Sequence, residues 1–354
     1  MQRRTIVSLV CLGFALMFFS SAAMAQYQLI NLSSNQVKAA EHDDPLIVNA
    51  WGLVHAPGSP WWVSDNNSGW STLYDQHGNA QSLRVLIPTA GENGPGSPTG
   101  VVWSASTSNE FQVQGWPSIF LFAALDGTIS GWAPQSNFND AIVAVNNSST
   151  GSVYTGLATT NKASGNFLYA ADMGNDAVEV YDGNFALVTA ATANFAAEIK
   201  SAIPTGFSPF GIRDIDGLVY VTFASTTGGS GGFVEVFKED GTPVTPGRPL
   251  LQGAPLNQPW GIAAASRNFG PLRNTLLISN NTDHGTINGF DGLTGQFVGT
   301  VKDTKGKAIA IDQLWGIDFG DGTKGGQNGG VNELFFTAGP FNNVAGTFGV
   351  IVPK

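Results

Sequence analysis

The chain has 354 residues, of which 16 are basic and 26 acidic, giving a net charge of −10. That balance argues against a nucleic-acid partner, whose phosphates need a basic footprint. Charged residues make up only 12 % of the chain, against roughly 25 % in an ordinary soluble domain; Gly, Ser, Thr and Asn fill the gap, a mixture that favours short strands and tight turns over helices.

Residues 1–25 read as a secretory signal peptide. Arg3 and Arg4 precede an apolar run from Ile6 to Phe19, and Ala23-Met24-Ala25 supplies a small-x-small cleavage site before Gln26. The run is short for a membrane span, and no second apolar segment of membrane length follows. Cleavage would remove two arginines and no acid, moving the net charge from −10 to −12, and would take away Cys11, the only cysteine. An exported chain without disulfides must draw its stability from a large core and a closed topology. The expectation is a soluble monomer, secreted to the periplasm or beyond the cell, with one domain over residues 26–354.

A strand is predicted over "YQLINLSS" (27–34), ahead of any repeat. Six similar units follow. Each opens on a Gly preceded by an aromatic residue or Thr and followed by Leu, Ile or Val: Trp51-Gly52-Leu53, Thr99-Gly100-Val101, Thr155-Gly156-Leu157, Phe210-Gly211-Ile212, Trp260-Gly261-Ile262 and Trp315-Gly316-Ile317. A second apolar run comes next in each unit, for example "WWVSDN" (61–66) or "LVYVTFAS" (218–225). A third strand then ends in an acidic or amide turn, as in "AVEVYDGN" and "FVEVFKEDG", and most units add a weaker fourth, such as "SLRVLIP" (82–88) or "FVGTVKD" (297–303). Four short strands repeating at roughly 50 residues are the pattern of a propeller blade. The fold predicted is all-β, a six-bladed β-propeller. The sixth unit stops at its third strand, so strand 27–34 is predicted to complete that blade and close the ring. Residues 194–204, between the third and fourth units, have helical composition. The Gly-rich stretches 89–100 and 224–232 are predicted as loops on the face where the inner strands begin.

The first strand of each blade lines the central channel, where Gly permits backbones to approach. The preceding residues, Trp51, Thr99, Thr155, Phe210, Trp260 and Trp315, should ring one mouth. Their aromatics either wedge between blades as core or stack on a ligand, and large flat rings serve both roles. The second strands end at the same mouth, bringing Asp65, Asn66, Asp172, Asn280 and Asp283 as candidate oxygen ligands for Ca²⁺, which takes six to eight. Asp and Asn are equally the ordinary residues of turns at strand ends. His284, in "TDHG", is a candidate base.

The segments "NAWGLVHAPGSPWWVSDNNSGWSTLYDQHG", "PLNQPWGIA", "GTINGFDGLTGQFVGTVKD" and "DQLWGIDFG", in this order, resemble an uncharacterised bacterial secreted family of six-bladed propellers akin to NHL-repeat proteins. The resemblance implies the fold and export, and it supplies no catalytic residue. Two functions remain open. One is a binding propeller that takes a small molecule, glycan or protein at the mouth ringed by Trp51, Phe210, Trp260 and Trp315. The other is a Ca²⁺-dependent hydrolase or lyase at the same mouth, with His284 as base.

Overall fold

The computed structural model describes residues 26–105, 109–163 and 165–354; the predicted leader, 1–25, lies outside the described residues. Six antiparallel sheets stand around an axis, each contributing its first strand to a central channel. The inner strands are Ala50–Val54, Pro98–Trp103, Tyr154–Thr159, Phe207–Ile215, Pro259–Ala264 and Leu314–Phe319. We number the blades 1 to 6 in that order. The ring closes as expected: Tyr27–Ser34 lies antiparallel to Thr347–Pro353, the third strand of blade 6, with Tyr27 opposite Pro353 and Ser34 opposite Thr347.

The glycines explain how six strands share one channel. A methyl group added to Gly52 would sit 2.4 Å from the Thr99 carbonyl of blade 2, and one on Gly211 would sit 2.0 Å from the Trp260 carbonyl of blade 5. The same holds around the ring: Gly100 faces Leu157, Gly156 faces Phe210, Gly261 faces Trp315, and Gly316 faces Trp51. Each Gly is thus where one inner strand leans on the next. Every inner strand also breaks register at this point, for example between Ala50 and Leu53 and between Pro259 and Ile262. Such a bulge turns amides away from the ladder, and a hydroxyl on the second strand meets them in three blades. Thr222, Ser279 and Thr337 accept from the amides of Gly211, Gly261 and Gly316. Ser279 and Thr337 also donate to the carbonyls of Trp315 and Trp51 on the following blade. Blades 2 and 3 have Ala123 and Ala171 at that place on the second strand. There the hydroxyl moves to the inner strand, where Thr99 donates to the Tyr154 carbonyl and Thr155 to that of Pro209. This accounts for Thr in place of an aromatic residue before Gly100 and Gly156.

The core is divided into wedges. One apolar cluster fills each gap between successive blades, six in all, and a seventh plugs the channel. Blade 3 has three strands, and a helix packs against the outermost of them. The helix, Thr189–Ala202, starts earlier than its composition predicted and sends Ala191, Phe195 and Ile199 into the wedge shared with blade 4.

Candidate functional site

The inner strands begin at one end of the channel, and there the aromatic side chains form a closed stack. Trp51 lies on Trp315 with ring centres 3.6 Å apart and planes 19° from parallel. Trp260 meets both edge-on, at 6.3 Å and 5.7 Å, and Phe210 tilts against Trp315 at 5.6 Å. Their exposures are 7 % for Trp51, 8 % for Phe210, 8 % for Trp260 and 3 % for Trp315, with Leu125 and Met173 packed on the cluster. Trp260 Nε1 donates to the Thr155 carbonyl, and Trp315 Nε1 to Asn49 Oδ1. Asn49 itself is held at φ 52°, as are its counterparts Gln258 and Gln313 at φ 50° and 49°. An amide side chain in the left-handed region two residues before Trp-Gly is a local signature that the repeat also carries. The rings offer edges and faces to one another, an arrangement that adds to the free energy of their burial.

The oxygen-bearing residues reach this end as predicted: Asp65 pairs with Ala50, Asp172 with Tyr154, and Asn280 with Pro259. Each is tied by hydrogen bonds within its own surroundings. Asp65 Oδ2 accepts from the Thr72 amide and hydroxyl, and burial raises its pKa well above the usual carboxylate range. Asn66 donates to the Pro98 carbonyl. Asp172 accepts from the amides of Val153, Gly174 and Asn175, shaping its own turn. Asn280 donates to the Pro255 carbonyl and accepts from the Asn257 amide. Asp283 accepts from Gln313 Nε2. His284 Nδ1 lies 3.2 Å from Asp312 Oδ1, with its side chain 85 % exposed. Among the described residues no three His, Cys, Asp or Glu side chains form a metal-sized group. Calcium takes six to eight converging oxygens, and the side-chain groups put forward for it each have hydrogen-bond partners of their own.

The opposite end of the channel is open. A cavity of about 130 Å³ starts at the ring of glycines, with Trp260 at its floor, and follows the inner strands to Val54, Trp103, Asn161, Arg213 and Asp214. Its walls carry Leu53, Val101, Leu157, Ile212, Ile262 and Ile317. Arg213 of blade 4 reaches Asp318 of blade 6 at 2.7 Å, past the small Ala263 of blade 5. Burial pushes the Asp214 carboxyl up to about 6, helped by Glu239 and Asp216 against the pull of the Gly217 amide and Lys162. Sequence reasoning missed this end, yet a signal was present. The position two residues after the repeated Gly reads Val54, Val102, Ala158, Arg213, Ala263 and Asp318. Two of the six are charged, of opposite sign, and they are the two that meet.

No family model matches the chain. The uncharacterised protein R648 of Acanthamoeba polyphaga mimivirus is 29 % identical over 350 residues, spanning 93 % of this chain and 81 % of the relative. A second uncharacterised mimivirus protein, L690, is 30 % identical over 312 residues, spanning 83 % and 79 %. Among solved structures a glucose dehydrogenase superposes with a TM-score of 0.53 at 10 % identity, over 91 % of this chain and 98 % of that one. A streptogramin B lyase superposes with a TM-score of 0.46 at 13 % identity, over 95 % and 100 %. At 10 % identity the likeness to the glucose dehydrogenase speaks to the propeller fold alone. The relatives correct the family expected from sequence: they are uncharacterised viral proteins, and no bacterial secreted family is matched. The chain belongs to the family of uncharacterised proteins that includes the mimivirus protein L690.

Proposed function

We propose that the protein is a secreted, non-catalytic binding propeller that admits its ligand through the open end of the channel. One observation carries this reading: the channel is sealed at the aromatic end by a packed stack and open at the other, where an apolar-walled cavity ends in a polar rim. Clefts of that make-up are the usual form of small-molecule sites. The aromatic residues put forward as a ligand platform act in this reading as the floor that closes the tunnel. Support for secretion is the leader-like pattern of residues 1–25 and the lack of cysteine beyond Cys11. Among the described residues no helix is long and apolar enough to cross a membrane. The hydrolase or lyase alternative would need converging metal ligands, and the candidate oxygens are engaged separately.

A thermal-shift screen of small molecules tests the reading, since a ligand that binds the native state raises the midpoint by mass action. Hits are expected with the wild-type chain and are expected to vanish in Val54→Trp, which narrows the rim. Millimolar Ca²⁺ and EDTA should leave the midpoint in place. Hits that persist in Val54→Trp, or a midpoint that rises with Ca²⁺ and falls with EDTA, would overturn it.

A further inference from the structure

The chemistry of the open end narrows what it can hold. The wall is aliphatic, so the ligand's body is apolar. At roughly 10–15 Å³ per water-sized group, the cavity of about 130 Å³ matches a body of roughly nine to thirteen non-hydrogen atoms. The rim presents three donor-bearing side chains and one carboxylate, Asp214, whose Oδ2 has no hydrogen-bond partner among the described residues. Among the described residues Arg213 makes a single side-chain hydrogen bond, to Asp318, leaving the rest of its five N–H groups. Asn161 Oδ1 accepts from the Ala105 amide, which turns its NH₂ outward. Trp103 Nε1–H has no hydrogen-bond partner among the described residues.

Those donors come without net positive charge. Asp318 compensates Arg213 at 2.7 Å. Asp214 borders the same opening, Lys162 beside it is paired with Glu239, and Asp216 lies close by. Counting these six groups, the surroundings are net negative. A free carboxylate would find hydrogen-bond donors but an unfavourable field, while an ammonium would find a favourable field and the Asp214 carboxylate but would leave the donors of Arg213, Asn161 and Trp103 unpaired. A neutral carbonyl oxygen suits both conditions. We propose that the open end recognises a compact neutral carbonyl compound, such as an aliphatic amide or ketone, with Arg213 donating to the carbonyl oxygen and the hydrocarbon part lying along the aliphatic wall. This inference rests on the open end being the binding site.

Calorimetric titration with three probes of matched length, hexanamide, hexanoate and hexylammonium, tests it. Hexanamide should bind at least tenfold more tightly than either ion. Arg213→Ala should weaken hexanamide at least tenfold, and Arg213→Lys, which keeps the charge but loses the planar fork, should weaken it by less. Asp318→Asn, which leaves the arginine charge uncompensated, should raise hexanoate affinity several-fold; this gain of binding cannot arise from misfolding. Tighter binding of hexanoate or hexylammonium to the wild-type chain would overturn the ligand class and leave the site standing, provided Val54→Trp abolishes it. Binding of hexanamide unchanged in Val54→Trp and in Arg213→Ala would overturn the site itself.

Discussion

Gly211 is the most tightly faced of the six channel glycines. Its missing side chain faces the Trp260 carbonyl at 2.0 Å, and that carbonyl belongs to the backbone of the next blade. A methyl group there forces strands apart, and overpacking of this kind costs about 1–3 kcal/mol or more. Gly211→Ala should lower the urea midpoint accordingly. Gly292→Ala, where the nearest atom is the Leu276 Cβ at 3.9 Å, should cost far less; equal losses would contradict the packing argument. The six close-packed glycines were legible in the sequence because the same steric need recurs once per blade. Arg213 and Asp318 were harder to see, since each occurs once and they meet across an intervening blade.

Glu235 raises a different question at the same scale. It is 1 % exposed on the third strand of blade 4, and its Oε2 has no hydrogen-bond partner among the described residues. Burial pushes its pKa up from the usual 4.5 to about 8, with the nearby Glu198 adding to the rise. The folded state therefore holds a proton that the unfolded chain releases. The stability this confers is complete below about 4.5 and is lost as the pH rises through about 8. Glu235→Gln removes the titration, so the stability difference between variant and wild type should shift in the variant's favour by on the order of 2–4 kcal/mol between pH 5 and pH 8. Urea unfolding at several pH values measures it, and a difference independent of pH would contradict the assignment.

At the scale of elements, period and composition placed most strands because hydrophobic runs bounded by turns repeat at one length. The closing strand was legible from a shortage, since the sixth unit lacks a fourth strand while Tyr27–Ser34 lacks a unit. Tyr27 ties that closure to the ring through its hydroxyl, which donates to the Phe269 carbonyl. The start of the helix was not legible. Val188 precedes it without a side-chain cap, so the usual Ser, Thr, Asp or Asn signal is missing. Its end was clearer, because Pro204 follows closely and the residue before proline avoids helical geometry. That the helix stands outside blade 3 in place of a fourth strand depends on packing against blade 4, which local composition does not encode.

For the whole molecule the decisive feature is the difference between the two ends of the tunnel. The aromatic residues before the glycines were visible in the sequence, and so was their gathering at one end. Whether such rings face solvent or one another depends on how four of them fit a taper that only the assembled ring defines. Stacked at 3.6 Å and crossed at near right angles, they fill it. The strand-end carboxylates likewise arrive together at one face and are then engaged by nearby amides and hydroxyls. The remaining opening lies at the far end, beneath the glycine ring. Methyl-resolved NMR of the chain titrated with hits from the thermal-shift screen tests this asymmetry most directly. The account predicts shifts at Ile212, Ile262 and Ile317 on the channel wall, with Leu125 and Met173 on the aromatic cap unmoved. Shifts at Leu125 and Met173 with the channel isoleucines silent would contradict it.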